Sequence, residues 1–265
     1  MLIGYCSSAK YAGRIAEIGF DYMELYGREI STLGDSEFIE TKKMLEDIGL
    51  ECRGFVGSIP PSVRICGPGY DEKIVSEYAK KCCDRGAELG ILHVGIGSPL
   101  SRNLPEGFDL DVAREQIMQS LDIFCSAAKP NGLDILFESV SSPMCNFITL
   151  FPEAVEIVEQ MRLDNLFLVL DLYHVAMMDE RLEEYADMLG DVKHLHIAEK
   201  ADYGQLRYES EPLYNRWISF LKSKGYDISI SMEISTPDPA GSERSLEILR
   251  RVDRNTGRRG GMDST

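Results

Sequence analysis

One short pattern recurs along the whole chain: a segment of helical periodicity ends at a glycine, and a short apolar run follows at once. The glycines at these junctions are Gly19, Gly49, Gly90, Gly132, Gly190 and Gly225. A glycine just past the end of a helix adopts the left-handed backbone conformation without the penalty that a Cβ imposes, so each is expected to cap a helix. The runs that follow are short and apolar, which is typical of buried parallel strands.

Eight apolar runs are predicted to be strands. They span residues 2–6, 20–25, 50–55, 91–95, 133–137, 165–170, 191–196 and 226–231. Strands that alternate with helices form a parallel sheet with right-handed crossovers, and about 250 residues is the usual size of a closed barrel of eight such units. No GxGxxG motif follows the first strand, which disfavours a doubly wound sheet. The sequence therefore predicts an α/β protein with one domain, a (β/α)8 TIM barrel over residues 1–253.

Composition limits the remaining possibilities. Residues 254–265 lack apolar periodicity and are rich in arginine and glycine, so we expect a disordered basic tail. The chain has 28 Lys and Arg against 44 Asp and Glu, a balance that argues against binding to nucleic acid or to an anionic membrane surface. Seven cysteines form no CxxC pairs, and the first residues do not have the pattern of a signal peptide, so a cytoplasmic location is expected.

Four polar side chains fall at the ends of the last four predicted strands. They are Glu138, Asp171, His196 and Glu233. Side chains alternate between the two faces of a strand, and the apolar neighbours of these residues must face the helices. All four are therefore expected to point into the barrel at the carboxyl ends of the strands, where barrels of this type have their active sites.

Three carboxylates brought together in a barrel mouth repel one another strongly, and protonation or a bound cation relieves that repulsion. One imidazole with three carboxylates suits Mn²⁺, Mg²⁺, Co²⁺ or Zn²⁺ better than an ion that prefers thiolates. A single carboxylate at a barrel rim is commonly just a solvated strand end. Four such residues on adjacent strands, all directed inward, favour a metal site.

All the histidines of the chain lie at or beside predicted strand ends, and they are His93, His174, His194 and His196. His194 is expected to pack one layer deeper in the barrel than His196. His93 shares its inward face with Gly95 and Gly97, so it either contacts a substrate or packs in the core. His174 follows Asp171 by three residues and belongs to a loop that could reach over a ligand.

The order of these residues resembles that of the xylose isomerase-like TIM barrels, a family of sugar and sugar-phosphate isomerases and epimerases. The matching order is Glu138, then Asp171 with His174, then His196 with Glu199, then Glu233. Segments 19–25 and 95–99 are similar as well, and the resemblance extends over residues 1–253. It implies one divalent cation, with Mn²⁺ favoured, held by Glu138, Asp171, His196 and Glu233.

The resemblance also implies roles in catalysis and substrate binding. Glu138 and Glu233 are expected to act as acid and base on opposite faces of the substrate. His174 is expected to contact substrate oxygens, and Glu199 to orient that region. Ketose 3-epimerases carry an arginine soon after this stretch, and Arg207 is the nearest candidate here. Substrate binding is thus predicted for His93, His174, Glu199 and Arg207.

The expected chemistry is proton transfer next to a carbonyl group. A metal that chelates a carbonyl and an adjacent hydroxyl oxygen acidifies the intervening C–H bond by stabilising an enediolate. One carboxylate removes the proton, and the second returns it to the other face or to the neighbouring carbon. The sequence therefore predicts an isomerase or epimerase that acts on a small sugar or keto-sugar.

Alternatives remain open at this point. Loss of a β-substituent from the same enediolate would make the protein a dehydratase or lyase that acts on a keto-sugar or cyclitol. A barrel without metal would be a non-enzymatic binding module. A DNA-repair endonuclease of the same superfamily is disfavoured by the net charge and the small number of histidines. The expected partner is a small sugar-like molecule, and relatives of this kind commonly form dimers or tetramers.

Overall fold

The computed structural model describes residues 1–227 and 229–257. In this part of the chain, eight parallel strands form a closed barrel in sequence order, with the last strand paired to the first. The strands are β1 (Ile3–Ser7), β2 (Tyr22–Tyr26), β3 (Glu51–Val56), β4 (His93–Ile96), β5 (Asp134–Phe137), β6 (Leu166–Asp171), β7 (Val192–Ile197) and β8 (Ile230–Met232). The predicted single-domain (β/α)8 TIM barrel is confirmed.

Helices surround the barrel, and short ones lie at its mouth. They are α1 (Ala12–Ile18), α2 (Gly27–Thr32), α3 (Asp35–Ile48), α4 (Glu72–Glu88), α5 (Pro99–Arg102), α6 (Leu110–Ala128), α7 (Phe151–Met161), α8 (Leu172–Met177), α9 (Glu211–Ser223) and α10 (Ser242–Gly257). Short 3-10 turns occur at Ala9–Tyr11, Lys129–Asn131, Leu182–Tyr185 and Tyr208–Ser210. The short helices α2, α5 and α8 follow the carboxyl ends of β2, β4 and β6, so they lie beside the expected active-site face. Among the described residues, no helix has both the length and the apolar character needed to cross a membrane.

The junction glycines have the predicted conformation with one exception. Gly19, Gly49, Gly90, Gly132 and Gly225 all have φ between 68° and 97°. Gly190 does not adopt positive φ, so the cap predicted there is wrong. The described chain between β6 and β7 contains only the six-residue α8 and one 3-10 turn, so no long helix ends at Gly190.

The first seven strands agree with the predicted bounds within two residues, and the two largest differences lie near the carboxyl end of the chain. Strand β8 begins at Ile230, where its pairing with β1 and β7 begins, and residue 228 of the predicted strand lies outside the described residues. Helix α10 continues to Gly257, so residues 254–257 of the predicted tail are helical. The physical reason is Thr256, which is buried and donates its hydroxyl hydrogen to the carbonyls of Val252 and Asp253. Residues 258–265 of the predicted tail lie outside the described part.

The two faces of the barrel wall differ sharply in polarity. Outward side chains such as Met23, Leu25, Ile135 and Leu168 are buried in one apolar core with the helices. The inward faces instead carry a polar set comprising Tyr22, Glu24, His93, Asp171, His194, His196 and Ser231. Such barrels usually fill their interior with branched apolar residues. A polar interior must satisfy its own hydrogen bonds, because buried polar groups without partners are costly.

Gly54 of β3 makes room for one of these inward rings. A Cβ at Gly54 would lie 2.2 Å from Nε2 of His93. Gly54→Ala is expected to lower the free energy of unfolding by about 1–3 kcal/mol in urea denaturation, because the ring must shift in a packed interior. Gly190→Ala is the control, since a Cβ there meets no atom within 4 Å. Equal losses in the two variants would contradict this explanation.

Candidate active site

The structure brings the four predicted metal ligands together at the mouth of the barrel. Glu138 and Glu233 follow β5 and β8, and Asp171 and His196 lie at the ends of β6 and β7. One ligand atom from each residue lies within 4.8 Å of the others. Nδ1 of His196 is 3.0 Å from Oε2 of Glu233 and 3.3 Å from Oε1 of Glu138. The imidazole thus faces a point that the carboxylates surround.

The two carboxylate oxygens of Asp171 have different surroundings. Its Oδ1 accepts a hydrogen bond of 2.7 Å from the backbone N–H of Tyr173, which caps the amino end of α8. Its Oδ2 is buried without a hydrogen-bond partner among the described residues, as is Nε2 of His196. A carboxylate oxygen left unpaired beside two further carboxylates is an unfavourable arrangement unless something positive lies nearby. The donor set of oxygens and one imidazole nitrogen fits a divalent cation.

Burial raises the pKa of Asp171 and of Glu138, whereas His196 overcomes burial and lowers the pKa of Glu233. Burial raises the pKa of the Asp171 carboxyl well above its usual value, and the charges of Glu138 and Glu233 raise it further. Burial also raises the pKa of Glu138, although His196 opposes that effect. For His196, burial alone would lower the pKa, but Glu24 and Glu233 outweigh it and raise the pKa well above its ordinary value. The cluster therefore favours positive charge at its centre.

A cavity of about 310 Å³ opens above the cluster. Its polar lining consists of Tyr26, Arg28, Ser98, Glu138, His174, Tyr203, Glu233 and Ser235. The remaining side chains include Ile59, Pro61, Leu100, Val140, Met144 and Ile234. This volume is at the small end of the usual range for ligand pockets, so it suits a small molecule.

The tautomer of His174 follows from its hydrogen bonds. Nδ1 of His174 accepts from the backbone N–H of Ser141 at 3.3 Å and lies 2.9 Å from the Ser141 hydroxyl. A nitrogen that accepts from a backbone N–H cannot carry a hydrogen, so a neutral His174 has its hydrogen on Nε2. Burial lowers the pKa of His174 to about 4, which keeps the ring neutral at pH 7. His174 therefore presents an N–H donor beside the cavity, where Nε2 lies 3.6 Å from Oδ2 of Asp171.

Gly97 explains how Glu138 fits into the site. A Cβ at Gly97 would lie 2.2 Å from Oε2 of Glu138. The sequence indicated open volume at Gly95 and Gly97, and at Gly97 the structure shows that the carboxylate occupies it. Any larger residue at this position would displace one of the four clustered side chains.

Three predicted substrate contacts lie outside the cavity lining. His93 is the first residue of β4, and its Nε2 lies 3.2 Å from Oε2 of Glu24, deeper in the barrel. Glu199 accepts hydrogen bonds from the hydroxyls of Ser210 and Tyr214 at 3.1 and 2.7 Å. Arg207 is exposed and forms an ion pair with Asp202. The geometry thus supports His174 alone among the four predicted binding residues.

Two buried charged residues of the site were missed in the sequence. Glu24 lies inside the barrel beneath His196, and the alternation of apolar Met23 and Leu25 on β2 would have indicated its inward direction. Arg102 is fully buried, and its guanidinium donates to the carbonyls of Glu138 and Ile148 at 2.8 and 3.2 Å. No periodic pattern marks Arg102, because it belongs to the four-residue helix α5 at the mouth.

Comparison with known proteins agrees with this fold. A family model described as xylose isomerase-like TIM barrel matches residues 12–252. The chain belongs to that family.

Individual relatives cover different shares of the chain. The chain is 32% identical over 190 residues to an inosose isomerase of Halalkalibacterium halodurans, a match that spans 64% of this chain and 62% of that relative's length. It is 25% identical over 242 residues to a putative hydroxypyruvate isomerase of Streptomyces coelicolor, which covers 86% of this chain and 85% of that protein. The solved structure of an L-ribulose 3-epimerase superposes with a TM-score of 0.79 at 17% identity, over 100% of this chain and 99% of that one. At that identity the likeness concerns the fold alone.

The raised pKa of Asp171 predicts how stability depends on pH in chelator-treated protein. The folded chain disfavours the ionised carboxylate, so stability is lost as pH rises from the usual pKa of aspartate, about 4, through the raised value. Asp171→Asn keeps the acceptor for the Tyr173 N–H and removes this loss. Its free energy of unfolding at pH 7 is expected to exceed that of the wild type by about 0.5–2 kcal/mol, with no difference near pH 3.

Urea denaturation at both pH values with a chelator present measures this effect. Asp164→Asn is the control, because Asp164 forms only an exposed ion pair with Lys129 and should change stability by less than about 0.5 kcal/mol. A destabilised Asp171→Asn at pH 7 would contradict the account.

Proposed function

We propose that this protein is a divalent-metal-dependent isomerase or epimerase of a small sugar or keto-sugar. The observation that carries the proposal is the placement of Glu138 and Glu233 against the same nitrogen of His196, with both carboxylates also lining the cavity. Two carboxylates that lie beside the same imidazole nitrogen and line the same cavity can both reach one bound substrate. One can remove a proton from it, and the other can return a proton at a second position. The isomerase names of the sequence relatives support the same reaction class.

Glu138, Asp171, His196 and Glu233 would hold the cation, with Mn²⁺ favoured and Mg²⁺, Co²⁺ or Zn²⁺ as alternatives. When bound, the cation would supply the positive charge that stabilises the oxygen anion formed as a proton leaves the carbon beside a carbonyl. Glu233 and Glu138 would move that proton, as acid and base. His174 would donate its Nε2 hydrogen to a substrate oxygen and so fix which carbon faces the carboxylates.

The walls of the cavity favour proton transfer by the glutamate side chains over direct attack by bulk water. Ile59, Val140, Met144 and Ile234 line it with apolar groups. A side-chain wall of this kind limits the number of water molecules beside the reacting carbon. The intermediate is thereby shielded from side reactions with water, while the glutamates can still exchange their hydrogens with solvent between turnovers.

Glu233→Gln tests the assignment of Glu233 as an acid and base. Glutamine keeps the size of the side chain but cannot take up a proton, so substrate-dependent uptake of solvent deuterium should fall by about 10²–10⁴-fold. The measurement uses deuterium exchange followed by mass spectrometry with the best substrate from a panel of ketoses, aldoses and keto-cyclitols. Glu209→Gln, an exposed change elsewhere, is the control.

Exchange at the wild-type rate in Glu233→Gln would contradict the two-glutamate mechanism. Product analysis in the same panel separates isomerisation and epimerisation from loss of a β-hydroxyl, which would make the protein a dehydratase or lyase. A protein that turns over no member of the panel and binds no divalent cation would instead be a binding module.

Arg28 adds a prediction about substrate charge. It is the one lysine or arginine among the described residues that line the cavity. Its Nη1 donates to the carbonyl of Gly57 at 3.1 Å, and its guanidinium lies over the ring of Tyr26, 4.8 Å from the centroid. No carboxylate of the described residues lies within ion-pair distance of it. The N–H groups of the guanidinium other than the one bonded to Gly57 are therefore left to bind a ligand. A guanidinium pairs well with a carboxylate.

Arg28→Gln is therefore expected to raise KM for hydroxypyruvate by about 10-fold or more, because a hydrogen bond to a charged group contributes about 1.5–3 kcal/mol. The matched neutral substrate is dihydroxyacetone, which has a hydroxymethyl group in place of the carboxylate. Its KM should be nearly unchanged in the same variant. Steady-state kinetics with both compounds measures this difference, and equal changes for both would show that Arg28 does not recognise the charge.

A further inference from the structure

A buried carboxylate lies inside the barrel directly beneath the candidate metal site. Glu24 of β2 has a side chain that is only 1% exposed. Three imidazoles surround it: Nε2 of His194 lies 2.6 Å from Oε1, Nε2 of His93 lies 3.2 Å from Oε2, and Nε2 of His196 lies 3.5 Å from Oε1. A buried charge is costly unless donors surround it, so such an arrangement needs a reason.

Contacts that do not involve the metal ligands hold Glu24 in place. The hydroxyl of Ser231 donates to Oε1, and His194 is itself bonded through Nδ1 to the hydroxyl of Ser229 at 2.9 Å. Gly54 leaves the space that the His93 ring occupies. Ser231, His194 and His93 therefore fix the carboxylate in position, and its Oε1 also faces His196.

His196 faces two different surroundings through its two nitrogens. Nδ1 points toward Glu138 and Glu233, and Nε2 points down toward Glu24. An imidazole that binds a cation through Nδ1 must be unprotonated there, so a neutral ring carries its hydrogen on Nε2. That hydrogen needs an acceptor, and Nε2 has no hydrogen-bond partner among the described residues. Oε1 of Glu24, at 3.5 Å, is the one carboxylate oxygen of those residues within 4 Å of it, and the thiol of Cys6, also nearby, is a weak acceptor.

We propose that Glu24 is a positioning residue that accepts the Nε2 hydrogen of His196 and thereby sets the affinity of the site for a divalent cation. The carboxylate fixes the orientation and the tautomer of the ring and makes Nδ1 a better ligand. Glu24 does not line the cavity, so it acts through His196 and not on the substrate. This inference rests on the proposed metal site.

The test compares cation affinity in Glu24→Gln with that of the wild type. Glutamine retains an oxygen acceptor and the length of the side chain but loses the charge. The dissociation constant for Mn²⁺, measured by calorimetry on chelator-treated full-length protein, should rise about 10–100-fold. The kcat of the variant at saturating Mn²⁺ should approach that of the wild type, because Glu24 does not touch the substrate.

Glu180→Gln is the matched control. Glu180 is a half-buried carboxylate that accepts hydrogen bonds from the backbone N–H of Phe151 at 3.1 Å and from the hydroxyl of Tyr185. Among the described residues it forms no hydrogen bond or ion pair with His196. Its loss of charge should leave the dissociation constant for Mn²⁺ unchanged. A rise in both variants would attribute the effect to the loss of any buried charge and would overturn the specific role of Glu24.

A second measurement needs no variant. Nitrogen-15 spectra of the wild type loaded with Mg²⁺ or Zn²⁺ should show His196 with its hydrogen on Nε2, and a hydrogen on Nδ1 would overturn the proposal even if Glu24→Gln fails to fold. An unchanged dissociation constant in a folded Glu24→Gln would also overturn it. A wild type that binds no Mn²⁺, Mg²⁺ or Zn²⁺ is a different result, since it refutes the proposed function on which this inference rests.

Discussion

Negative charge buried inside the barrel is the constraint on which the rest of this structure depends. Glu138, Asp171 and Glu233 cluster with His196 at the mouth of the barrel, and Glu24 lies deeper inside, on the other side of His196. Three histidines contact Glu24, and one of them, His196, also contacts Glu138 and Glu233. The histidines overcome burial and lower the pKa of Glu24 and Glu233, whereas the pKa of Glu138 and of Asp171 stays raised by burial and by neighbouring carboxylates. Under the proposed function, a cation held between Glu138, Asp171 and Glu233 would offset the repulsion that remains.

The surrounding structure serves to keep these charges in place. Gly97 admits the Glu138 carboxylate, and Gly54 admits the ring of His93 that supports Glu24. Arg102, fully buried, holds the main chain at Glu138 and lies over the ring of Phe137. Its positive charge lies near the cluster without entering the cavity, so it offsets repulsion there and leaves the site open to a ligand. The apolar packing of strand and helix faces provides the stability that the polar interior does not.

The sequence predicts the fold and the four clustered residues at the barrel mouth, because both depend on short-range regularities. Recurrent glycines and apolar runs indicate the eight strands, and the alternation of faces brings Glu138, Asp171, His196 and Glu233 to one place. Alternation gives the face of a residue but not its height in the barrel, which depends on the register between strands. His93 was therefore expected near the substrate, although it lies at the amino end of β4. Glu199, Arg207 and Arg102 lie in loops or short helices whose direction is set by contacts with distant residues, and no local pattern specifies those contacts.

The most direct test of the account is a measurement of Mn²⁺ binding to chelator-treated wild-type protein. Calorimetry gives the number of cations bound per chain, and thermal unfolding of the same protein at several Mn²⁺ concentrations gives Tm. The account predicts one cation per chain and a rise in Tm with Mn²⁺ concentration, because a cation held by Glu138, Asp171, His196 and Glu233 binds the folded chain and relieves their repulsion. Absence of stoichiometric binding, together with a Tm that does not change, would contradict it.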